Sequence, residues 1–254
     1  MKLTTLCERF DDRLRTGEFA DVDASANGLQ VGPEEAEVEH AAFAVDAAVD
    51  TIERAADAGA DVLCVHHGLS WGGIERVTGR EYERIAALLE NGLALYVSHL
   101  PLDAHPELGN AAGIADVLSL RRRKPFGSAG GETIGLKGTI KPCSSEDLEG
   151  TLTTALDHAG EGVQVLPFGP NLVERVAIVT GAGADFFEEA IEADVDAFVT
   201  GEGKGRLFHE SKEAGVSVFL AGHYATETFG VRSLQELADG WGLETTFVSA
   251  PTGL

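Results

Sequence analysis

Seven runs of apolar and β-branched residues recur along the chain, at Ala41 to Val45, Ala60 to Val65, Leu93 to Ser98, Val173 to Thr180, Asp196 to Thr200, Val216 to Ala221 and Thr245 to Ser249. Their length and continuous hydrophobicity predict strands buried on both faces. Between most of them, apolar residues return at three- and four-residue spacing. This predicts helices over Ala47 to Ala58, Arg80 to Asn91, Asp185 to Ala193, Gly205 to Ala214 and Thr226 to Gly240, with Gly59, Gly92, Gly215 and Gly242 as terminators. Strand and helix alternate, so the fold class is α/β with mostly parallel sheets. The middle of the chain adds a strand at Ile134 to Lys141, a helix at Ser144 to His158 opened by Ser144 or Ser145, and a short strand at Val163 to Leu166.

The chain is long enough for one large domain or two lobes, with 254 residues of which 44% are hydrophobic. Residues Arg121 to Glu132 combine RRRK, Pro125 and GSAGG, which reads as an exposed connection and the best boundary. The expected division is a first lobe of residues 1–124 joined by 222–254, and a second lobe of 125–221. The C-terminal segment is placed in the first lobe so that its ligand-type residues can reach those of the N-terminal half.

Forty-two acidic residues face nineteen basic ones, a formal charge of −23. That balance disfavours nucleic acid as a partner. Its spread along the whole chain predicts a halophilic protein whose carboxylates are screened in molar salt, where the Debye length is about 3 Å. The start, MKLTTLCERFDDRL, carries charges through its one apolar stretch, and no run approaches membrane-spanning length, so a cytoplasmic protein without membrane contact is expected. Cys7, Cys64 and Cys143 are odd in number and form no C-x-x-C pair, which argues against a disulfide framework or a zinc knuckle. The basic run Arg121 to Lys124 reads as a solvated face or subunit contact. The loops VTGAGADFFEEA and TGEGKGRLFHES each open a helix but match no phosphate-binding signature; the second supplies Glu202, Lys204 and His209.

Candidate chemistry gathers elsewhere. His66 and His67 end the run DVLCVHHGLSW, and GHYATE sets His223 and Glu227 four residues apart, on one face of a helix expected to begin near Tyr224. Neighbouring side chains of a regular strand point to opposite faces, so an adjacent histidine pair can converge only where the backbone turns, which Gly68 permits. A single buried histidine is an ordinary core residue. A pair, a His-x-x-x-Glu and Asp103 together point to a two-metal site. Imidazole and carboxylate donors without thiolate suit zinc, iron, manganese, nickel or cobalt.

The segments NGLQVG (Asn27 to Gly32), VHHGLSW (Val65 to Trp71), SHLPLDAHPELGNA (Ser98 to Ala111), TGEG and AGHYATETFGV occur in the order found in the Ngg-interacting-factor-three-like proteins, type 2 homologues of GTP cyclohydrolase I, and the chain resembles that family over essentially its whole length. It resembles the short form, since Asp116 to Leu172 is too short for the inserted domain of longer members. Gly68 follows the histidine pair where members often have proline. The resemblance implies a dinuclear metal centre in a cleft between two α/β lobes, in a ring-like homohexamer. By the same resemblance, His67 and Asp103 hold one divalent ion, His66 and His223 the other, and Glu227 bridges both. Glu227 and His99 are then the catalytic candidates, with His99 orienting a ligand or passing a proton; His105, beside Pro106, is placed in an exposed loop. The implied activity is hydrolysis of a small-molecule substrate such as a nucleotide, by analogy GTP cyclohydrolysis. A phosphoesterase and a non-catalytic metal-binding assembly are the alternatives.

Overall fold

The computed structural model describes all 254 residues. In chain order the elements are α1 (Leu3–Leu14), β1 (Gly28–Val31), β2 (His40–Asp46), α2 (Val49–Asp57), β3 (Val62–His67), α3 (Arg80–Glu90), β4 (Ala94–Val97), α4 (Leu100–Asp103), α5 (Asn110–Val117), β5 (Arg121–Ala129) and β6 (Glu132–Cys143). They continue with α6 (Ser145–Ala155), β7 (Gln164–Leu166), β8 (Val173–Val179), α7 (Phe187–Glu192), β9 (Ala197–Thr200), α8 (Leu207–Ala214), β10 (Ser217–Leu220), α9 (His223–Thr226), α10 (Thr228–Gly240) and β11 (Glu244–Phe247). No helix is long and apolar enough to cross a membrane.

The chain forms two compact α/β units, Met1–Leu102 with Gly230–Ala250, and Asp103–Phe229 with Pro251–Leu254. Each has its own sheet. The first unit holds the five-stranded sheet β1-β4-β3-β2-β11, parallel throughout except at β1. Its central strands β2, β3 and β4 are buried on both faces, as their apolar runs demand, whereas the edge strands β1 and β11 are only partly buried. Leu63, Val65, Leu95 and Val97 pack with Ile52, Ala55 and Leu88 from α2 and α3. On the α1 side, Phe10 lies 5.2 Å from the Tyr96 ring and 5.1 Å from that of Trp241. Cys64 is wholly buried, and burial pushes its thiol well above the usual range, the inert core role of a free cysteine.

The second unit holds the six-stranded sheet β5-β6-β8-β9-β10-β7, with a parallel centre β8-β9-β10 and antiparallel edges. Ser144 caps α6 as a capping box, its hydroxyl accepting from the Asp147 amide at 3.1 Å. Ala111, Ala112, Ile114 and Ala115 of α5 belong to the same core as Leu136, Val176, Ile178 and Ala225. Residues 103–124 and 222–229 therefore lie in this unit, and the divisions fall at Leu102/Asp103 and Phe229/Gly230, not near 124 and 222.

The expected connection Arg121 to Glu132 is instead a hairpin. Strand β5 pairs antiparallel with β6, and the partners Ala129 and Glu132 leave Gly130–Gly131 as a two-residue loop. Both glycines have positive φ, 61° and 99°, as a type I′ turn requires. Arg121 to Lys124 and Pro125 suit an edge strand, where charge and proline discourage further pairing. Composition resembling a linker was in fact edge protection.

Candidate metal centre

In the first unit, three histidines converge at the C-terminal ends of β3 and β4. The His66 and His67 ring centroids lie 4.6 Å apart, and that of His99 is 5.1 Å from His66 and 5.8 Å from His67. One ligand nitrogen from each of the three lies within 4.8 Å of the other two. His66 is fully buried. Gly68, which follows the pair, does not have the positive φ of a left-handed turn; a glycine is needed there for space, since an added Cβ would lie 2.5 Å from Val97 Cγ2 and 2.6 Å from Gln30 Oε1.

Every Nδ1 in this trio faces an acceptor. His66 Nδ1 donates to the Ser98 carbonyl at 2.9 Å, His67 Nδ1 to Asp46 Oδ1 at 2.8 Å, and His99 Nδ1 to Asp23 Oδ1 at 2.9 Å. A hydrogen on Nδ1 leaves the lone pair of a neutral ring on Nε2, the tautomer that a metal or a substrate proton needs. Asp46 reaches His67 because the two are register partners in the parallel pair β2–β3. Asp23 has a side chain only 1% exposed, and it also accepts from Asn27 Nδ2 at 2.8 Å, Ser25 N at 2.9 Å and Leu100 N at 3.0 Å. Burial favours its neutral form, but the hydrogen bonds from His99 and Asn27 outweigh burial and hold its pKa down at about 2. Asn27 completes the clamp by accepting the His99 amide at 2.7 Å.

In the second unit, His223 and Glu227 form one pair, His223 Nε2 to Glu227 Oε2 at 3.1 Å. They do not share a regular helix: α9 ends at Thr226, and Glu227 sits at the joint before α10 with φ −105° and ψ 7°. His223 Nδ1 lies 3.4 Å from Glu202 Oε1. Burial acts to lower the His223 pKa, but the hydrogen bond and charge of Glu227, aided by Glu202, overcome it and raise it to about 9. Gly181, at φ +58°, keeps the space beside this pair open, since an added Cβ would stand 2.0 Å from Glu227 Oε1 and 3.1 Å from His223 Nε2. Asp103 is buried, its Oδ1 accepting from Asn110 Nδ2 at 2.8 Å and from Thr180 Oγ1 at 3.5 Å. His105 caps its own loop, Nδ1 accepting from the Glu107 and Leu108 amides.

The family model described as Duf34/NIF3 (NGG1p interacting factor 3) matches residues 1–252. The chain belongs to the DUF34/NIF3 family. It is similar to a protein of Halobacterium salinarum named GTP cyclohydrolase 1 type 2 homolog, 58% identical over 255 residues and the full length of both chains. Among solved structures it is similar to TTHA1606 from Thermus thermophilus, with TM-score 0.89 and 36% identity, and to the protein ybgI, described as of unknown function, with TM-score 0.90 and 34% identity; each comparison covers both chains completely.

The donor chemistry of this NIF3 chain fits divalent metal ions. Imidazoles presented through Nε2, buried carboxylates and a glycine-lined space next to His223 and Glu227 are the components that such sites use. Sequence reading missed Asp23 and Asp46. Their partners lie 76 and 21 residues away, a separation that no local motif encodes.

Proposed function

We propose that this chain is a hydrolase dependent on two divalent metal ions, acting on a nucleotide or a related small molecule. The observation that carries the reading is the trio His66, His67 and His99, each with Nδ1 committed to an acceptor. In this assignment, which the family resemblance implies, His67 and Asp103 would hold one ion, His66 and His223 would hold the other, and Glu227 would serve both. Zinc, iron, manganese, nickel or cobalt suit these donors. Such a pair, when bound, supplies Lewis acidity and a water of lowered pKa.

The protein's own groups supply the rest. His99, oriented by Asp23 and Asn27, offers Nε2 to take or return a proton at the substrate. Glu227, almost wholly buried and 3.1 Å from His223 Nε2, would be the carboxylate that serves both ions or receives a proton. The relatives' name, GTP cyclohydrolase 1 type 2 homolog, supports opening of the guanine imidazole ring with loss of formate as the specific reaction. The same family membership and the net charge of −23 support a homohexamer adapted to high salt.

The test is elemental analysis of protein purified without chelator, followed by assay of formate and phosphate release from a nucleotide panel. Two ions per chain, formate from GTP, and loss of both ions and of activity in Glu227→Ala are expected. Phosphate release without formate would assign a phosphoesterase. Metal without release of either product would assign a non-catalytic metal-binding assembly.

A further inference from the structure

We infer that Trp71 is a stacking platform that recognises a planar nitrogen heterocycle, such as a purine base, beside the histidine trio. The inference rests on the proposed hydrolase reading for its substrate class, but on separate residues for its evidence. Trp71 is 46% exposed although it is one of the two tryptophans in the chain. The other, Trp241, is packed against Phe10 and under the Arg9 guanidinium. Trp71 has no such packing, and its aromatic neighbours are candidate site residues: its ring centroid lies 4.8 Å from that of His99, edge-on at 80°, and 6.0 Å from that of His67.

An exposed tryptophan at a loop tip would carry little meaning, but this one is anchored. Trp71 forms a β-bridge with Ser25; the Ser70 carbonyl accepts from the Ala26 amide at 3.2 Å, and the Gly72 amide donates to the Ala24 carbonyl at 2.6 Å. The segment that clamps the tryptophan backbone also supplies Asp23 and Asn27, which hold the ring and amide of His99. One stretch of chain, residues 23–27, thus sets indole and imidazole together. Beyond the tryptophan, Gly72 and Gly73 bring no side chain, and an added Cβ at either would meet nothing within 4 Å. The result is a rigid aromatic surface with open space beside it, bordered by the groups proposed to do chemistry. Aromatic surfaces of this kind hold bases by stacking, which needs no charge on the ligand. An uncharged recognition element suits a chain whose net charge of −23 repels anions.

The experiment uses metal-loaded, full-length protein and follows tryptophan fluorescence and calorimetry during titration with guanosine, GTP, ribose 5-phosphate and choline. Guanosine and GTP are expected to quench saturably, with the quench lost in Trp71→Phe while calorimetric binding persists. Trp71→Ala is expected to weaken guanosine roughly five- to 150-fold, the cost of about 1–3 kcal/mol found when an aromatic group beneath a base is truncated. Metal content should be unchanged in both variants. Guanosine affinity unaltered in Trp71→Ala, absence of binding by either purine compound, or choline or ribose 5-phosphate quenching as well as guanosine would overturn the inference. Purine binding through Trp71 without turnover would sustain the platform and reject the hydrolase. Turnover of GTP with an unchanged KM in Trp71→Ala would do the reverse.

Discussion

Asp23 offers the sharpest test of the local physics, because one carboxylate almost closed to solvent satisfies four donors and holds a candidate catalytic ring. Asp23→Ala leaves those donors without their acceptor. Each buried donor left unmatched costs about 1–3 kcal/mol, and the four share one site, so we expect a loss of about 3–5 kcal/mol. A domain typically has 5–15 kcal/mol in total, so the variant should fold but melt early. Asp23→Asn keeps the volume and one acceptor, and should cost about 2 kcal/mol. The two variants also make a prediction in pH. The folded pKa of Asp23, about 2, lies below its ordinary value of 3.8. The carboxylate therefore contributes stability above about pH 4, and that contribution of about 2 kcal/mol disappears as pH falls toward 2. Asparagine cannot titrate. The stability gap between the parent and Asp23→Asn, measured by urea denaturation in molar KCl to screen the other carboxylates, should shrink over this window. A gap independent of pH, or an Asp23→Ala loss below about 0.5 kcal/mol, would refute the reasoning.

Two further outcomes are expected. Gly181→Ala forces a side chain into a left-handed residue and against Glu227 Oε1, so elemental analysis should find fewer than two ions per chain while circular dichroism remains native. Transferring the protein from molar KCl to dilute buffer should lower its melting temperature and shift light scattering from a hexamer of about 160 kDa, six chains of 26.7 kDa, toward smaller species; equal stability and mass at both salt concentrations would remove both the halophilic and the salt-dependent assembly expectations.

Local periodicity revealed most of the architecture. The buried strands β2, β3, β4, β9 and β10 are built on apolar runs, β8 ends in the apolar stretch Val176 to Val179, and the helices between them keep one apolar face, so both were legible. Helix α5 was not, because NAAGIADV has a glycine in its interior. The reason is tertiary: an added Cβ at Gly113 would stand 2.3 Å from the Phe229 ring. Strand β5 was hidden by charges that serve its edge position, and β1 by its brevity and antiparallel pairing. Among the candidate site residues, the paired histidines and the His223–Glu227 spacing stood out in the sequence by type and position. Asp23 and Asp46 did not, because a carboxylate that steadies a distant imidazole looks in sequence like any other in a chain with 42 acidic residues.

The anchoring of three imidazoles through Nδ1 has a consequence for the timing of entropy loss. Each ring is immobilised by a group from a different place, the end of β2, the segment before β1 and the carbonyl following β4. Folding itself therefore freezes these side chains, and an arriving ligand finds rotors already stopped. Preorganisation of this kind moves the ordering cost, about 0.5–1.5 kcal/mol per side chain, from the binding step to the folding step. The trio should hold the same ring positions with and without its ligand, and its affinity should depend on acceptors that never touch that ligand.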